Sequence, residues 1–147
     1  MTMSRVRAKI GLAAVLGLSM LPLATSVAAA SPLAPAEPVV TVSPATGLSD
    51  GQSVTVTASG FAANTTLTIS ECTPAANNSG ACKEVPPLTF STDASGSGST
   101  TYTVKKNFDS ALPDGTPAGS VDCGTAVCFI GVRDSQAQSG GQQVFFS

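Results

Sequence analysis

The sequence predicts an all-β sandwich, and three observations carry that prediction. Apolar and polar residues alternate with period two in one run after another, with threonine and serine at the outward positions. Clusters of Gly, Asn, Asp, Pro and Ser fall between the runs at short intervals, as turns do. Beyond the first thirty residues no stretch has helical period.

Those thirty residues stand outside the pattern. Arg5, Arg7 and Lys9 precede an apolar or small stretch from Ile10 to Val27, which closes on Ala28-Ala29-Ala30. A basic start, an apolar middle and a small-residue exit make a secretory signal peptide. Pro22, the alanine exit and the lack of a second apolar run of spanning length argue against a membrane anchor. Ser31 is the expected first mature residue, with cleavage after Ala28 as the alternative. The predicted organisation is a signal peptide over 1–30, a flexible Pro-rich lead-in over 31–38 and one sandwich domain over 39–147. A secreted, extracellular protein is expected.

The strands follow in order. Val40 and Val42 alternate with Thr41 and Ser43; Val54, Val56 and Ala58 with Thr55, Thr57 and Ser59; Leu67 and Ile69 with Thr66, Thr68 and Ser70. Leu88 and Phe90 come next, then Tyr102 and Val104, then Val127, Phe129, Ile130 and Val132, and Val144 to Phe146 close the chain. Gly47 to Gly51, Ser59-Gly60, Asn77 to Gly80, Asp93 to Gly98 and Asp114 to Pro117 read as the turns. Seven or more short strands at this spacing predict an immunoglobulin-like sandwich with Greek-key links. No tryptophan is present, so aliphatic packing must hold the core.

Without the leader, 117 residues remain, enough for one core. Lys83, Lys105, Lys106 and Arg133 stand against nine acidic residues, a net charge of −5. Such a chain lacks the electrostatic footprint for direct binding to DNA or an anionic membrane. Four cysteines, Cys72, Cys82, Cys123 and Cys128, lie behind the leader, and an even count there reads as disulfides. Of the three possible pairings, that of neighbours closes two short loops without remote chain order, each contributing about 2–3 kcal/mol. A zinc site fails on the C-x9-C and C-x4-C spacings and on the absence of histidine. Two braced loops at one end of a sandwich would wall a cleft.

The missing histidine also removes Ser-His-Asp and Cys-His chemistry and the commonest general base. Glu71, Glu84, Asp122 and Asp134 could be imagined as an acid–base pair. Each lies in or near a turn or cysteine loop, where a carboxylate solvates the surface or caps the turn. An enzyme is not expected, nor a metal. Asn64-Thr65-Thr66 and Asn77-Asn78-Ser79 match glycosylation sequons but read as turns, and Lys105-Lys106 reads as a solvated strand end.

Three stretches together resemble the neocarzinostatin family of enediyne antibiotic apoproteins. They are Val40 to Gly51, Asp93 to Phe108, and Asp114 to Cys128; both cysteine spacings agree with the family's. The resemblance spans Val40 to Phe146 and implies a seven-stranded sandwich with two disulfide-braced ribbons, Cys72–Cys82 and Cys123–Cys128, enclosing a cleft. It implies an apoprotein that binds, protects and carries a small hydrophobic chromophore of enediyne type; a monomer is expected, since no exposed apolar strand or odd cysteine calls for a partner. Antimicrobial and cytotoxic activity would reside in that non-covalent ligand, and DNA would be the ligand's target only.

Carried over by position, the cleft would be lined by Leu67, Ile69, Pro74, Phe90, Pro113, Phe129, Gly131 and Arg133. On the last of these strands Phe129, Gly131 and Arg133 would share one face, with Phe129 the aromatic contact and Gly131 leaving room. Against the family's best-known pattern the chain departs at Pro74, Pro87, Leu112-Pro113, Phe129 and Arg133. The competing reading is a secreted immunoglobulin-like interaction or cell-wall-associated module with no small ligand.

Overall fold

Alternation along the sequence becomes pairing in space, in ten strands: β1 Val39–Ser43, β2 Ser53–Ser59, β3 Thr66–Pro74, β4 Gly80–Lys83, β5 Leu88–Ser91, β6 Gly98–Thr103, β7 Asn107–Ala111, β8 Pro117–Asp122, β9 Cys128–Arg133 and β10 Ser139–Val144. The computed structural model describes residues 36–75, 80–84 and 86–147, with no helix among them. The expected signal peptide, the lead-in as far as residue 35 and the Asn77-Asn78-Ser79 sequon lie outside the described residues.

One sheet has the order β1-β2-β6; the other runs β10-β9-β3-β4-β7-β8, with β5 also on β3. All strand pairs are antiparallel. The chain changes sheet between β2 and β3 and again on either side of β6, which is the Greek-key link that short, evenly spaced strands predict. β3 is the hub. It pairs with β9 over Thr68–Cys72, with β5 over Thr66–Ile69 and with β4 over Cys72–Pro74.

The inward positions of both sheets make the core. Leu48, Val54, Val56, Leu67, Ile69, Val104, Ile130 and Val132 are at most 1% exposed, so aliphatic side chains do fill the place a tryptophan would take. The turn after Phe61 is locked to this core: Gly96 sits at φ +77°, and a Cβ there would overlap the carbonyl oxygen of Phe61. The described end of the expected lead-in, Glu37 and Pro38, lies close against the domain. At its end, a Cβ on Gly60 would stand 2.5 Å from the Glu37 carbonyl oxygen and one on Gly140 3.1 Å from that of Pro38.

Both disulfides join sequence neighbours. Cys72 and Cys82 are opposed partners across β3 and β4, with Cα atoms 4.0 Å apart; Cys123–Cys128 closes the turn from β8 to β9, at 5.5 Å. Four strands differ from the sequence expectation: β4, β7 and β8 have no counterpart among the expected runs, and β10 is displaced. The last one runs Ser139–Val144 rather than Val144–Phe146, because Phe146 makes only a single parallel bridge with Leu48. β8, Pro-Ala-Gly-Ser-Val-Asp, buries one side chain in six and so carries no alternation to read.

Candidate functional site

Residues directly opposed across an antiparallel pair point to the same side of the sheet. The β3–β9 register sets Cys72 against Phe129, Ser70 against Gly131 and Thr68 against Arg133. The β9–β10 register adds Gln143, Gly141 and Ser139. These side chains form the outer face of the larger sheet, turned away from the sandwich core. Phe129, Gly131 and Arg133 thus share one face, at successive positions about 7 Å apart.

Leu67 and Ile69 belong to the other face. Ile69 opposes Val132, both are wholly buried, and Leu67 is too. They do not share the Phe129 face, on which β3 offers Thr68, Ser70 and Cys72; Ile69 instead borders an open hollow beside Tyr102. Phe90 likewise lies off that face. It opposes Leu67 across β3 and β5 and packs half-buried on the core, where a Cβ on Gly98 would lie 3.3 Å from its ring.

Phe129 dominates the outer face. Its ring lies over three glycines: an ideal Cβ would stand 3.5 Å from Cζ at Gly80, 3.5 Å from Cε2 at Gly131 and 3.5 Å from Cδ2 at Gly141. These are van der Waals distances, so the ring occupies the space a longer side chain at any of the three would need. The Cys72–Cys82 disulfide bounds the same place, since a Cβ on Gly80 would also stand 3.7 Å from Cys72 Cβ and Cys82 Sγ. An aromatic ring laid along a sheet, with a disulfide on one side and glycines beneath, is a platform for stacking another flat apolar group. Across β10, β9 and β3 this face carries one charged side chain, the exposed Arg133.

Pro74 is exposed at the end of β3, opposite Gly80, and so borders the platform. Pro113 is exposed at the tip of the β7–β8 hairpin, which β4 separates from β3. Three open hollows of about 330–360 Å³ lie elsewhere, and none of them includes Phe129, Gly131 or Arg133. The first sits between Pro86-Pro87-Leu88 and Thr101–Thr103, with Ile69, Lys83 and Tyr102 at its walls.

The model of the neocarzinostatin family matches residues 40–146, almost the whole of the described sandwich. The chain belongs to the neocarzinostatin family. The antitumor antibiotic C-1027 apoprotein of Streptomyces globisporus is 44% identical over 90% of this chain and 88% of its own length. Actinoxanthin of the same species is 43% identical over the same shares. Among solved structures, macromomycin superposes with a TM-score of 0.69 at 32% identity, covering 75% of this chain and 99% of its own. The solution structure of apokedarcidin gives 0.59 at 41% identity, covering 76% and 100%.

Neocarzinostatin-family apoproteins are chromophore carriers and not enzymes, and the carboxylates of this chain have structural surroundings. Asp134 Oδ1 accepts the amides of Gln136 and Gln138 at 2.9 Å, Asp122 Oδ1 accepts that of Gly124 at 2.8 Å, and Glu84 is exposed. Lys105 and Lys106 are not a loose strand end: Lys105 Nζ is 3.8 Å from Asp50, and Lys106 Nζ donates to the Ser147 carbonyl. Glu71 departs from the surface role expected of it. It lies in mid-strand, wholly buried, with Oε2 accepting the Lys105 amide at 2.9 Å and Oε1 unpartnered. Burial pushes its pKa up to about 7, against the opposing pull of that amide and of Lys83. Burial, followed by the nearby Glu71 charge, pushes Tyr102 up to about 12.

Sequence reading missed Gly80 and Gly141 as parts of this face. The Gly140-Gly141 pair in the strand beside Phe129 was the signal for Gly141; no local signal marks Gly80.

Proposed function

We propose that this protein is a secreted apoprotein that binds, protects and carries a small hydrophobic, aromatic chromophore of enediyne type on the outer face of its larger sheet. The observation that carries this reading is the Phe129 ring lying over Gly80, Gly131 and Gly141 beside the Cys72–Cys82 disulfide. Cytotoxic and antimicrobial activity resides in the ligand, and DNA is the ligand's target rather than the protein's. A net charge of −5 after loss of the leader supports that division of labour. Family membership and relatives named as antibiotic apoproteins support it further. The carrier acts as a monomer, with Phe129 stacking the ligand and Arg133 and Ser70 meeting its polar groups.

Native mass spectrometry of the protein secreted by the producing organism, kept cold, dark and oxidised, tests this reading. The expected mass is that of residues 31–147 less four hydrogens, plus a small non-covalent adduct that Phe129→Asp abolishes. A bare mass, with no enediyne or aromatic polyketide bound at micromolar concentration, overturns it. That outcome supports a second reading, a secreted immunoglobulin-like interaction module in which Phe129 itself covers the sheet face. That none of the three open hollows includes Phe129, Gly131 or Arg133 favours this second reading.

A further inference from the structure

The smaller sheet is open along one flank. Among the described residues β6 pairs with β2 alone, so no strand lies beside its other edge. Just past β6, the Val104 amide donates to the Gln52 carbonyl at 3.0 Å, and the Val104 carbonyl accepts the Gly51 amide at 2.9 Å. Successive residues of an antiparallel strand direct these groups to opposite sides. Thr103 and Thr101 therefore turn their amides and carbonyls away from β2, toward the open flank. The far edge of the same sheet is less bare, since Gln142 Oε1 of β10 accepts the Val42 amide of β1.

Apolar surface lies uncovered beside that free edge. At Gly98 the flank is closed by β5, whose Ser91 carbonyl oxygen would stand 2.7 Å from an ideal Cβ on Gly98. Farther along, the hollow of about 330 Å³ separates Pro86, Pro87 and Leu88 from Thr101–Thr103. Leu88 opposes Ile69 across β5 and β3, so it turns to the inner side of its sheet, where Ile69 is wholly buried. Leu88 is nonetheless 40% exposed, since no side chain of the described residues fills the hollow before it.

Lys83 is the one charged residue on the walls of this hollow. Its Nζ lies 5.8 Å from the centroid of the Tyr102 ring, and no carboxylate of the described residues forms an ion pair with it. A strand laid on a sheet edge gains main-chain hydrogen bonds, and pockets for its alternate side chains set what it prefers. Here the residue opposite Tyr102 would point to the inner side, toward Leu88 and Ile69. A residue two positions away shares that side, where Lys83 supplies an unpaired positive charge.

We propose that the free edge of β6 and the hollow beside it form a docking site for an extended acidic peptide. The peptide adds a fourth strand to the three-stranded sheet, covers Leu88 with an aliphatic side chain and sets a carboxylate against Lys83. The hollow includes none of Phe129, Gly131 and Arg133, so the site does not depend on the carrier reading.

Titration of the oxidised protein with the peptide acetyl-Thr-Val-Thr-Asp-Thr-amide, followed by amide and methyl NMR, tests the site. The Thr101 and Thr103 amides and the Leu88 methyls are expected to shift saturably at millimolar peptide and the two amides to exchange more slowly, while β1 is unaffected. Replacing the peptide's aspartate by lysine is expected to weaken binding about fivefold. Thr101→Pro removes one edge amide and leaves the pairing with β2 intact, and is expected to weaken binding about tenfold. Absence of shifts at Thr101 and Thr103 at millimolar peptide overturns the proposal, and that measurement needs only the wild type. Leu88 shifts with full affinity in Thr101→Pro overturn it too, since the hollow would then take an apolar group without strand addition. Equal binding of the aspartate and lysine peptides overturns the choice of an acidic partner.

Discussion

Phe129 and Gly80 meet over the Cys72–Cys82 ribbon, with an ideal Cβ on Gly80 standing 3.5 Å from Phe129 Cζ. Any branch beyond Cβ at residue 80 would have to take the place the ring now holds. Gly80→Leu is therefore expected to lift the ring off the sheet while leaving the core untouched. Stability should change by less than about 1 kcal/mol, as for substitutions away from a core. Affinity for an aromatic ligand should fall about tenfold, a loss of about 1.4 kcal/mol. Ligand titration of the two proteins, with the ring protons of Phe129 followed by NMR, checks this. Unchanged affinity would remove the ring from the site.

Much of the sandwich was legible in the sequence because its strands bury one face and leave the other wet. Val40 and Val42, Val54 to Ala58, and Leu67 and Ile69 all announce themselves by period two, and all are buried as that pattern requires. β8 and β10 were illegible for the same physical reason: with one buried residue each, they have nothing to alternate. The Phe129 face was legible in part. Phe129, Gly131 and Arg133 fall on one face because parity along a single strand is fixed. Leu67, Ile69 and Phe90 did not join them, because which parity of β3 faces outward depends on its register with β9, and no local signal states that register. Glu71 was misread because proximity to a cysteine loop says nothing about the direction of a side chain.

The β5–β6 and β7–β8 turns offer a paired test of strain against overlap. Gly96 and Gly115 both have positive φ, +77° and +84°. A Cβ at Gly96 would strike the Phe61 carbonyl, whereas at Gly115 nothing lies within 4 Å. Gly115→Ala should cost about 1 kcal/mol, the conformational penalty alone. Gly96→Ala should cost about 2–4 kcal/mol, since the backbone of Phe61 must also move. Urea unfolding at equilibrium separates the two; equal effects would mean that the turn yields freely.

The two disulfides should separate stability from binding. By loop closure each is worth about 2–3 kcal/mol, with the longer Cys72–Cys82 loop at the upper end. Replacing Cys123 and Cys128 by alanine should lower stability by that amount and leave ligand affinity near the wild-type value. Replacing Cys72 and Cys82 should lower stability similarly and also weaken binding, because Cys72 opposes Phe129 across β3 and β9 and the bridge holds β4, with Gly80, beside the ring. Calorimetry with a parallel ligand titration reads both quantities on each variant.

The pH dependence of stability should have a maximum on the mildly acidic side. Glu71 binds its proton more tightly folded than unfolded, with a pKa of about 7 against 4.5. The folded state thus holds more protons between those values, and stability falls as pH rises from about 4.5 to about 7, by at most about 3 kcal/mol. Asp93 acts in the other direction. Its Oδ1 accepts the Ser95 hydroxyl at 2.6 Å and the amides of Ser95 and Ser97, bonds that hold its pKa below 3.8. That contribution is present above pH 3.8 and is lost as pH falls through the lowered value. Asp114, held down by the backbone and side chain of Thr116, adds to the same acid limb. Melting temperatures from pH 2.5 to 8.5 should therefore peak near pH 4.5. Glu71→Gln should flatten the alkaline limb alone, and Asp93→Ala should lie below the wild type at neutral pH and converge with it below pH 3. A wild-type curve flat from pH 4.5 to 8 would show that Glu71 ionises in the folded protein as freely as in the unfolded chain.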